Sequence, residues 1–398
     1  MEKNMQRRDF LYKTGALFSA AALTGPLTAG KLLLPPSETA SVLHRRPNPD
    51  NYDVPILKAL AYGMQAPSPH NTQAWKFRLI SDYEAMFFVD EKRLLPATDP
   101  PARQIHMGCG TFLAVLALGI EQEGYKAAYE LLPEGTYGPQ EIGRKPVARI
   151  QLTKAPKNVS PLSEHIFTRS TSRLPYSSDI VDDRQFAGIL NLFEAEISTI
   201  RLINQPRKLE ETLLLLYKGM EVEAYDYKTY DETRKWFRVG TDIAARRDGI
   251  NLRSMGESGI QLWFAEMLIR GYKPKDWHNE AAILSFLRTH YNAVMASGGV
   301  VTFTTATNNQ LDWLRAGIDY GRFQLAASAQ GLSIHPLSQV LQEFPAMAGL
   351  AAEFNQKMNV QAPAKVQMAV RIGRSPQPFT SYRIPLENAL TTNSAKGV

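Results

Sequence analysis

The sequence predicts an α+β fold, an antiparallel sheet flanked by helices, written twice along the chain in diverged copies. Three observations carry this. Two apolar helical stretches, 110–124 and 317–331, each run between glycines at equal spacing, with Leu118 and Leu325 in the same register. Each is followed by an apolar strand, 147–152 and 366–372. Ahead of the first helix, Trp75, Phe77 and Leu79 alternate with Lys76 and Arg78 as in a half-buried strand, and 85–89 supplies its hairpin partner. Identity between the copies is weak, but the order helix, glycine, strand is kept, which is the mark of a repeated unit.

In chain order, Gln6-Arg7-Arg8-Asp9-Phe10-Leu11-Tyr12-Lys13 precedes an uncharged stretch, 14–30. A basic region followed by a short apolar one reads as an export signal, too short for a spanning helix, which needs roughly 20 apolar residues. The paired arginines with Phe10 and Leu11 resemble a twin-arginine motif with its lysine one place late. The chain is therefore expected to be exported to the periplasm or beyond by the twin-arginine machinery. Residues 1–34 are the signal peptide, or an anchor if it is not cleaved, and the proline-rich 35–51 is a linker. Asp53 then reads as a helix N-cap before Pro55, with Ile56, Leu57, Leu60 and Met64 as the apolar stripe. Asp99-Pro100-Pro101 opens the long helix that carries Leu113, Leu116 and Ile120. The first half spans 52–160 and the second 161–390, the latter enlarged by inserted helices near 206–225, 232–245 and 258–270.

Composition removes several function classes. The chain of 398 residues carries a formal charge of +6. Half of it lies in residues 1–31, where Lys3, Arg7, Arg8, Lys13 and Lys31 face Glu2 and Asp9, and the rest is too scattered for a nucleic-acid surface. Cys109 is the single cysteine, so there is no internal disulfide and no cysteine-rich metal site. The seven histidines show no metal-ligand spacing. Gly108-Cys109-Gly110 lacks the preceding strand and third glycine of a dinucleotide loop, and reads as close-packing points around a core thiol.

Two stretches could carry chemistry. Ala66-Pro67-Ser68-Pro69-His70-Asn71-Thr72-Gln73-Ala74-Trp75-Lys76-Phe77 is a rigid polar loop running into a strand, stiffened by two prolines. It either presents Ser68, Asn71 and Gln73 to a flat hydrogen-bonding ligand or is a turn that caps itself. Phe167-Thr168-Arg169-Ser170-Thr171-Ser172-Arg173-Leu174-Pro175-Tyr176 has two arginines four apart with hydroxyls between. It is either a phosphate clamp, since arginine offers forked charged donors, or a solvated basic turn.

The first stretch resembles the A-P-S-x-x-N-x-Q-P-W-x-F loop of the FMN-dependent nitroreductases, with Ala74 at the usual proline. The second resembles the family's R-x-S-x-R start, with Thr171 replacing serine. Pro336-Leu337-Ser338, within 331–339, resembles the loop after the family's long helix. Ser381-Tyr382-Arg383-Ile384-Pro385-Leu386 resembles its terminal arm. The resemblance covers about 50–390 and is close to the tandem, Acg-like subgroup, in which one chain holds both halves of a homodimer. It implies a nitroreductase-like pseudo-dimer that binds FMN. Pro67, Ser68, Asn71 and Gln73 would lie against the ring, with Pro336 packing on it and the amides of Leu337 and Ser338 facing its reactive edge. Arg169, Ser170, Thr171, Arg173 and Arg383 would hold the phosphate.

On that resemblance the protein passes electrons through the flavin to a nitro, quinone or similar small acceptor, as a monomer or loose dimer. The alternative is a flavin-binding or storage protein of the same fold, suggested by export away from NAD(P)H and by inserted helices that could roof the ring. A third reading is a domain that has lost flavin. One FMN per chain is expected, because the ring loop has no counterpart at 194–199. Arg45-Arg46-Pro47-Asn48-Pro49 likewise lacks the hydroxyls and distal arginine of 169–173, which would leave a defunct site opposite.

Overall fold

The computed structural model describes residues 45–391 apart from 258, 271, 272, 377 and 378. The signal motif and most of the linker lie outside the described residues. The described residues belong to one compact unit, Ala40–Val398. Its architecture is α+β, with two four-stranded antiparallel sheets.

The first sheet holds β1 (Trp75–Ser81), β2 (Glu84–Val89), β3 (Tyr125–Leu131) and β4 (Ala148–Lys154) in the order β1-β2-β4-β3. The second holds β5 (Thr199–Ile203), β6 (Gly299–Thr305), β7 (Ser333–Pro336) and β8 (Lys365–Gly373), in the matching order β5-β6-β8-β7. Helix α1 (Pro55–Gly63) precedes β1, and α2 (Arg103–Glu121) joins β2 to β3. Correspondingly α3 (Asp183–Leu190) precedes β5, and α10 (Gln310–Ala329) joins β6 to β7.

The two sheets differ in how their first two strands are connected. Between β1 and β2 lies a tight turn at Asp82 and Tyr83, whereas β5 and β6 are separated by the helical insertion. That insertion comprises α4 (Pro206–Tyr225), α5 (Tyr227–Lys235), α6 (Thr241–Arg246), α7 (Gly259–Arg270), α8 (Pro274–Trp277) and α9 (Glu280–Met295). The expected helix 232–245 is thus two helices, broken at Gly240, whose φ is 58°. Helix α11 (Ala348–Lys357) lies between β7 and β8.

Local chemistry explains the long helices. Asp99 stops short of helical backbone, yet its Oδ2 accepts from the Ile105 amide at 3.0 Å and so caps the buried start of α2. Asn309 and Asp312 form a capping box on α10, with Asn309 Oδ1 accepting from the Asp312 amide at 3.0 Å. The cap of α1 departs from expectation. Val54 occupies the position, without a side-chain bond, and Pro55 sets the first turn instead of Asp53.

Helices α2 and α10 cross at the centre of the molecule. A Cβ on Gly110 would run into the Leu314 carbonyl, and one on Gly317 into that of Met107. Only glycine therefore permits this approach. Cys109 is buried there as a core thiol. The main apolar core runs from Trp75, Phe77 and Phe112 through Ile318 and Phe323 to Ile372, so elements from both sheets bury one another.

The C-terminal end of the described chain returns to the first sheet, and the N-terminal end packs on the arm that leads to it. Leu390 bridges to Phe77, and the Thr391 amide donates to the Phe77 carbonyl at 2.8 Å. Residues 45–51, read as linker, are packed here: Arg45 and Arg46 are buried, and the Arg45 carbonyl accepts from the Arg383 amide at 3.0 Å.

Candidate functional site

The loop between α1 and β1 holds an unusual backbone. His70, Asn71 and Gln73 have φ of 46°, 53° and 51°, a region that costs residues with a Cβ roughly 1 kcal/mol or more each. Such strain persists only where the surroundings hold it. Ser68 serves the turn itself, its Oγ accepting from the Gln73 amide at 2.8 Å, while the Pro67 carbonyl accepts from Thr111 Oγ1 on α2 at 2.8 Å.

Asn71 and Gln73 reach much further. Asn71 Nδ2 donates to the carbonyls of Gly249, in the insertion, and Tyr382, in the terminal arm. Gln73 Nε2 donates to the Arg247 carbonyl at 3.1 Å, and its Oε1 accepts from the Ile384 amide at 2.9 Å. The two amides that were expected to face a ring thus spend most of their bonding on clamping insertion and arm onto the loop.

The arm delivers Arg383 into this clamp. It donates to the carbonyls of Met64, Ala66 and Tyr382 and, at 2.9 Å, to Asn71 Oδ1. Two more guanidiniums share its surroundings, Arg46 from the N-terminal arm and Arg169 from the start of the second half. All three are almost wholly buried. Arg46 Nε donates to the Ser381 carbonyl, but its Nη1 has no partner, nor do Nε and Nη1 of Arg169. None of the three has a carboxylate partner among the described residues.

Burial lowers all three, and neighbouring guanidiniums lower Arg46 and Arg383 further. Arg46 falls to about 9, through burial and then Arg169 and Arg45, and Arg169 falls to about 10 through burial. Arg383 is held well below its usual range by burial, then by Arg46 and Arg169. Buried, unpaired like charges with orphaned donors are costly. The arrangement suits an anion with several acceptor oxygens, such as a phosphate monoester.

Tyr320 on α10 connects this cluster to a second one. Its buried hydroxyl has no partner and lies in the fields of both Arg169 and Arg173. Arg173 is half-buried, and no described residue bonds its guanidinium. Burial and Arg371 bring it down to about 10. Arg371 itself is saturated, donating to the carbonyls of Ala293, Ser172 and Leu174 and to His335 Nδ1, and it stacks 4.0 Å from the centre of the Tyr176 ring.

Three imidazoles face this positive end and are kept neutral. Burial and then Arg173 lower His70 to about 4; burial, Arg371 and Arg173 lower His290 to about 3; the same causes hold His335 well below its usual value. His290 Nε2 has no partner. The residues present therefore form two carboxylate-poor guanidinium groupings, Arg46 with Arg169 and Arg383, and Arg173 with Arg371, joined through Tyr320, the second facing neutral imidazoles.

Known proteins resemble this sequence distantly along most of its length. No family model matches. The putative NAD(P)H nitroreductase acg of Mycobacterium tuberculosis is 23% identical over 332 residues, 81% of this chain and 89% of that protein. The probable NAD(P)H nitroreductase PigM of a Serratia species is 23% identical over 326 residues, 76% of this chain and 85% of its own. The chain is similar to nitroreductases along most of its length. Among solved structures, an FMN- and NADPH-dependent nitroreductase from a Sphingopyxis species aligns over 57% of this chain and 96% of its own, with 13% identity and a TM-score of 0.35. A nitroreductase with bound FMN from Desulfitobacterium hafniense aligns over 59% and 98%, with 10% identity and a TM-score of 0.34.

Within this nitroreductase-like chain the remaining expected positions divide. Thr171 pairs with Ile334 as an isolated bridge and, with the Ser170 carbonyl, receives Gln324 Nε2 at 3.5 and 3.3 Å. Pro336 ends β7. The Leu337 amide cannot serve a ring, because it donates to the Ala369 carbonyl at 2.8 Å as one more rung beside β8. Ser338 is buried with its Oγ against Met368 sulfur. Arg46, read as the relic of a defunct site, instead lies beside Arg169 and Arg383. Tyr320, His290 and His335 went unassigned, since lone polar residues at helical or strand spacing carry no signature. His70 stands inside the quoted loop, but nothing in its type marks a role.

Proposed function

We propose that this protein is an FMN-binding oxidoreductase of the nitroreductase type, with one flavin site shared between two diverged copies of one unit. The observation that carries the reading is the buried guanidinium cluster of Arg46, Arg169 and Arg383, with its orphaned donors and no carboxylate partner among the described residues. A flavin phosphate supplies the missing anion, and charge-assisted bonds to it are worth about 1.5–3 kcal/mol each. The similarity to proteins named as NAD(P)H nitroreductases supports the same assignment.

Each residue then has a task. Arg46 and Arg169 bind the phosphate; Arg383 adds charge and, through Asn71, holds the strained loop in place. Ser68 and Gln73 fix that loop so that Pro67 and its neighbours form one wall. Arg173, unpartnered at the opposite end, places positive charge beside the ring and favours its anionic reduced form. When bound, the flavin supplies the hydride chemistry that passes electrons to a nitro, quinone or similar small acceptor. The pseudo-dimer is supported by the matching strand orders and by Gly110 meeting Gly317, since equivalent residues of two copies meet on a two-fold axis. The halves are 52–160 and 161–390, and residues 6–13 direct export.

One observation favours the storage reading as a second. The insertion bonds directly to the loop through Thr233, Arg247 and Gly249, and so stands where a nicotinamide would approach. The visible spectrum of natively purified protein tests the proposal. A yellow protein bleached by NAD(P)H and recoloured by a nitro or quinone acceptor is the expected result. Yellow protein that cannot be cycled selects storage, and colourless protein rejects flavin altogether.

A further inference from the structure

A hydrogen-bonded chain leaves the site loop through the helical insertion. His70 Nε2 lies 3.2 Å from Thr233 Oγ1 on α5, and Thr233 Oγ1 donates to Glu223 Oε1 on α4 at 3.1 Å. The other oxygen of Glu223 accepts from Gln342 Nε2 at 2.8 Å. Glu223 is 2% exposed, a burial at which an unpaired carboxylate is costly, and no described cation pairs with it.

The groups around both ends set their charge. Burial pushes Glu223 up to about 7, against the Gln342 and Thr233 bonds and with a small further push from Glu232. Glu232 itself is occupied by the amides of Ala97 and Thr98 and the Thr98 hydroxyl. Tyr230, the other titratable neighbour on α5, is pushed up by burial and Glu223 and stays neutral. At the far end burial and Arg173 keep His70 neutral.

A hydroxyl and a neutral imidazole each give one hydrogen and accept another, so this chain has two orientations. With Glu223 ionised, Thr233 donates to it, His70 donates from Nε2, and Nδ1 carries a lone pair. With Glu223 protonated, each donor reverses and the hydrogen of His70 moves to Nδ1. No described residue bonds Nδ1. We infer that Glu223 is a positioning residue of the candidate site, deciding through Thr233 whether His70 offers that site a hydrogen or a lone pair.

Its use in catalysis rests on the proposed reading, in which Arg173 stands beside the ring and His70, lying in the field of Arg173, is at the same end. A proton leaving Nδ1 for an anionic ligand atom is then replaced at Nε2 by that of Thr233, which takes the proton of Glu223. One proton leaves the chain, Glu223 ends as a carboxylate, and no electron moves along it.

Nitrogen NMR of the full-length protein labelled at histidine tests this, with His70 assigned by the signal lost in His70→Gln. In the wild type the ring nitrogens of His70 should exchange tautomers with a midpoint near 7, the value to which Glu223 is pushed. Glu223→Gln, which cannot titrate, and Thr233→Val, which cuts the chain, should each hold one tautomer across that range. A His70 without a step in the wild type, or a step that survives in either variant, overturns the inference. Acid-released flavin measured on the same samples separates the two claims. A flavin-free chain whose His70 still switches rejects the flavin and keeps the switch, and a flavin-loaded chain with a fixed His70 does the reverse.

Discussion

Arg46 is the residue whose meaning changes most between sequence and structure. Beside Pro47, Asn48 and Pro49 it has no hydroxyls and no second arginine four places on, so its pattern matched no clamp. Only the terminal arm, more than 300 residues later, brings Arg383 and Ser381 to it. Arg46→Ala should therefore have effects of opposite sign in two states. Without ligand it relieves like-charge repulsion and removes a buried orphan donor, so the melting temperature should rise or hold. With FMN it removes charge-assisted bonding of about 1.5–3 kcal/mol, which is roughly a 10- to 150-fold loss of affinity. Calorimetry and flavin fluorescence titration measure the two; an unchanged affinity would return Arg46 to the role of a relic.

Histidines kept neutral in the fold, His106 fully buried and His70 and His290 partly so, set the acid side of stability. His70 and His106 are lowered to about 4 and His290 to about 3, each chiefly by burial, against about 6.5 in an unfolded chain. The unfolded state therefore binds more protons in that window. The stabilisation is fully present above the unfolded value and is lost as pH falls through the folded ones. Urea midpoints should drop steadily from about pH 6.5 to about pH 4. Asp99 works in the other direction: burial raises it to about 6, so its contribution is present below the usual carboxylate value and is lost as pH rises through that point. An urea midpoint flat through the acid range would show that these rings are solvated.

At the scale of elements, sequence patterns revealed what was strongly patterned. β1, β2, β4 and β8 were legible from alternation or apolar runs, as were α2 and α10 from their flanking glycines. β3 was not, because Tyr125–Leu131 mixes two alanines with Lys126 and Glu130 and carries little strand propensity. β6 was missed for the opposite reason: Gly299–Thr305 is buried on nearly every side chain, and a short continuous run does not reveal its period. β5 and β7 are short and mix polar with apolar residues, Thr199 and Arg201 in the one and Ser333 and His335 in the other, so no period shows in so few positions. The glycines at the helix crossing make a sharper prediction. Gly110→Ala or Gly317→Ala should cost about 1–3 kcal/mol or more by forcing α2 and α10 apart, where backbone and not a flexible side chain blocks the methyl group. Gly349→Ala, with nothing within 4 Å, should be neutral or slightly stabilising. Equal melting temperatures for all three would mean the crossing is looser than drawn.

For the whole molecule the division of labour follows from topology. Two sheets with the same strand order pack on a shared core, and the candidate site is assembled from the loop before β1, residues 169–173 and both ends of the described chain. No single stretch contains it, which is why its parts were readable by resemblance while their pairing was not. An assembly of this kind, holding buried charge without a counter-anion, should gain stability from any ligand that supplies one. Binding to the native state alone raises stability by about 2.7 kcal/mol at a hundredfold excess over Kd. FMN should thus raise the melting temperature of flavin-depleted protein, and riboflavin, which lacks the phosphate, should raise it far less. Equal shifts would place the ring, and not the guanidinium cluster, at the origin of binding.

The central claim is one flavin site per chain, built around Arg46, Arg169 and Arg383. Flavin released by acid from natively purified, full-length protein and quantified against protein measures it most directly. FMN is expected at close to one per chain, falling towards zero in Arg169→Ala with Arg383→Ala. A ratio near two, or undiminished FMN in that double variant, would contradict it.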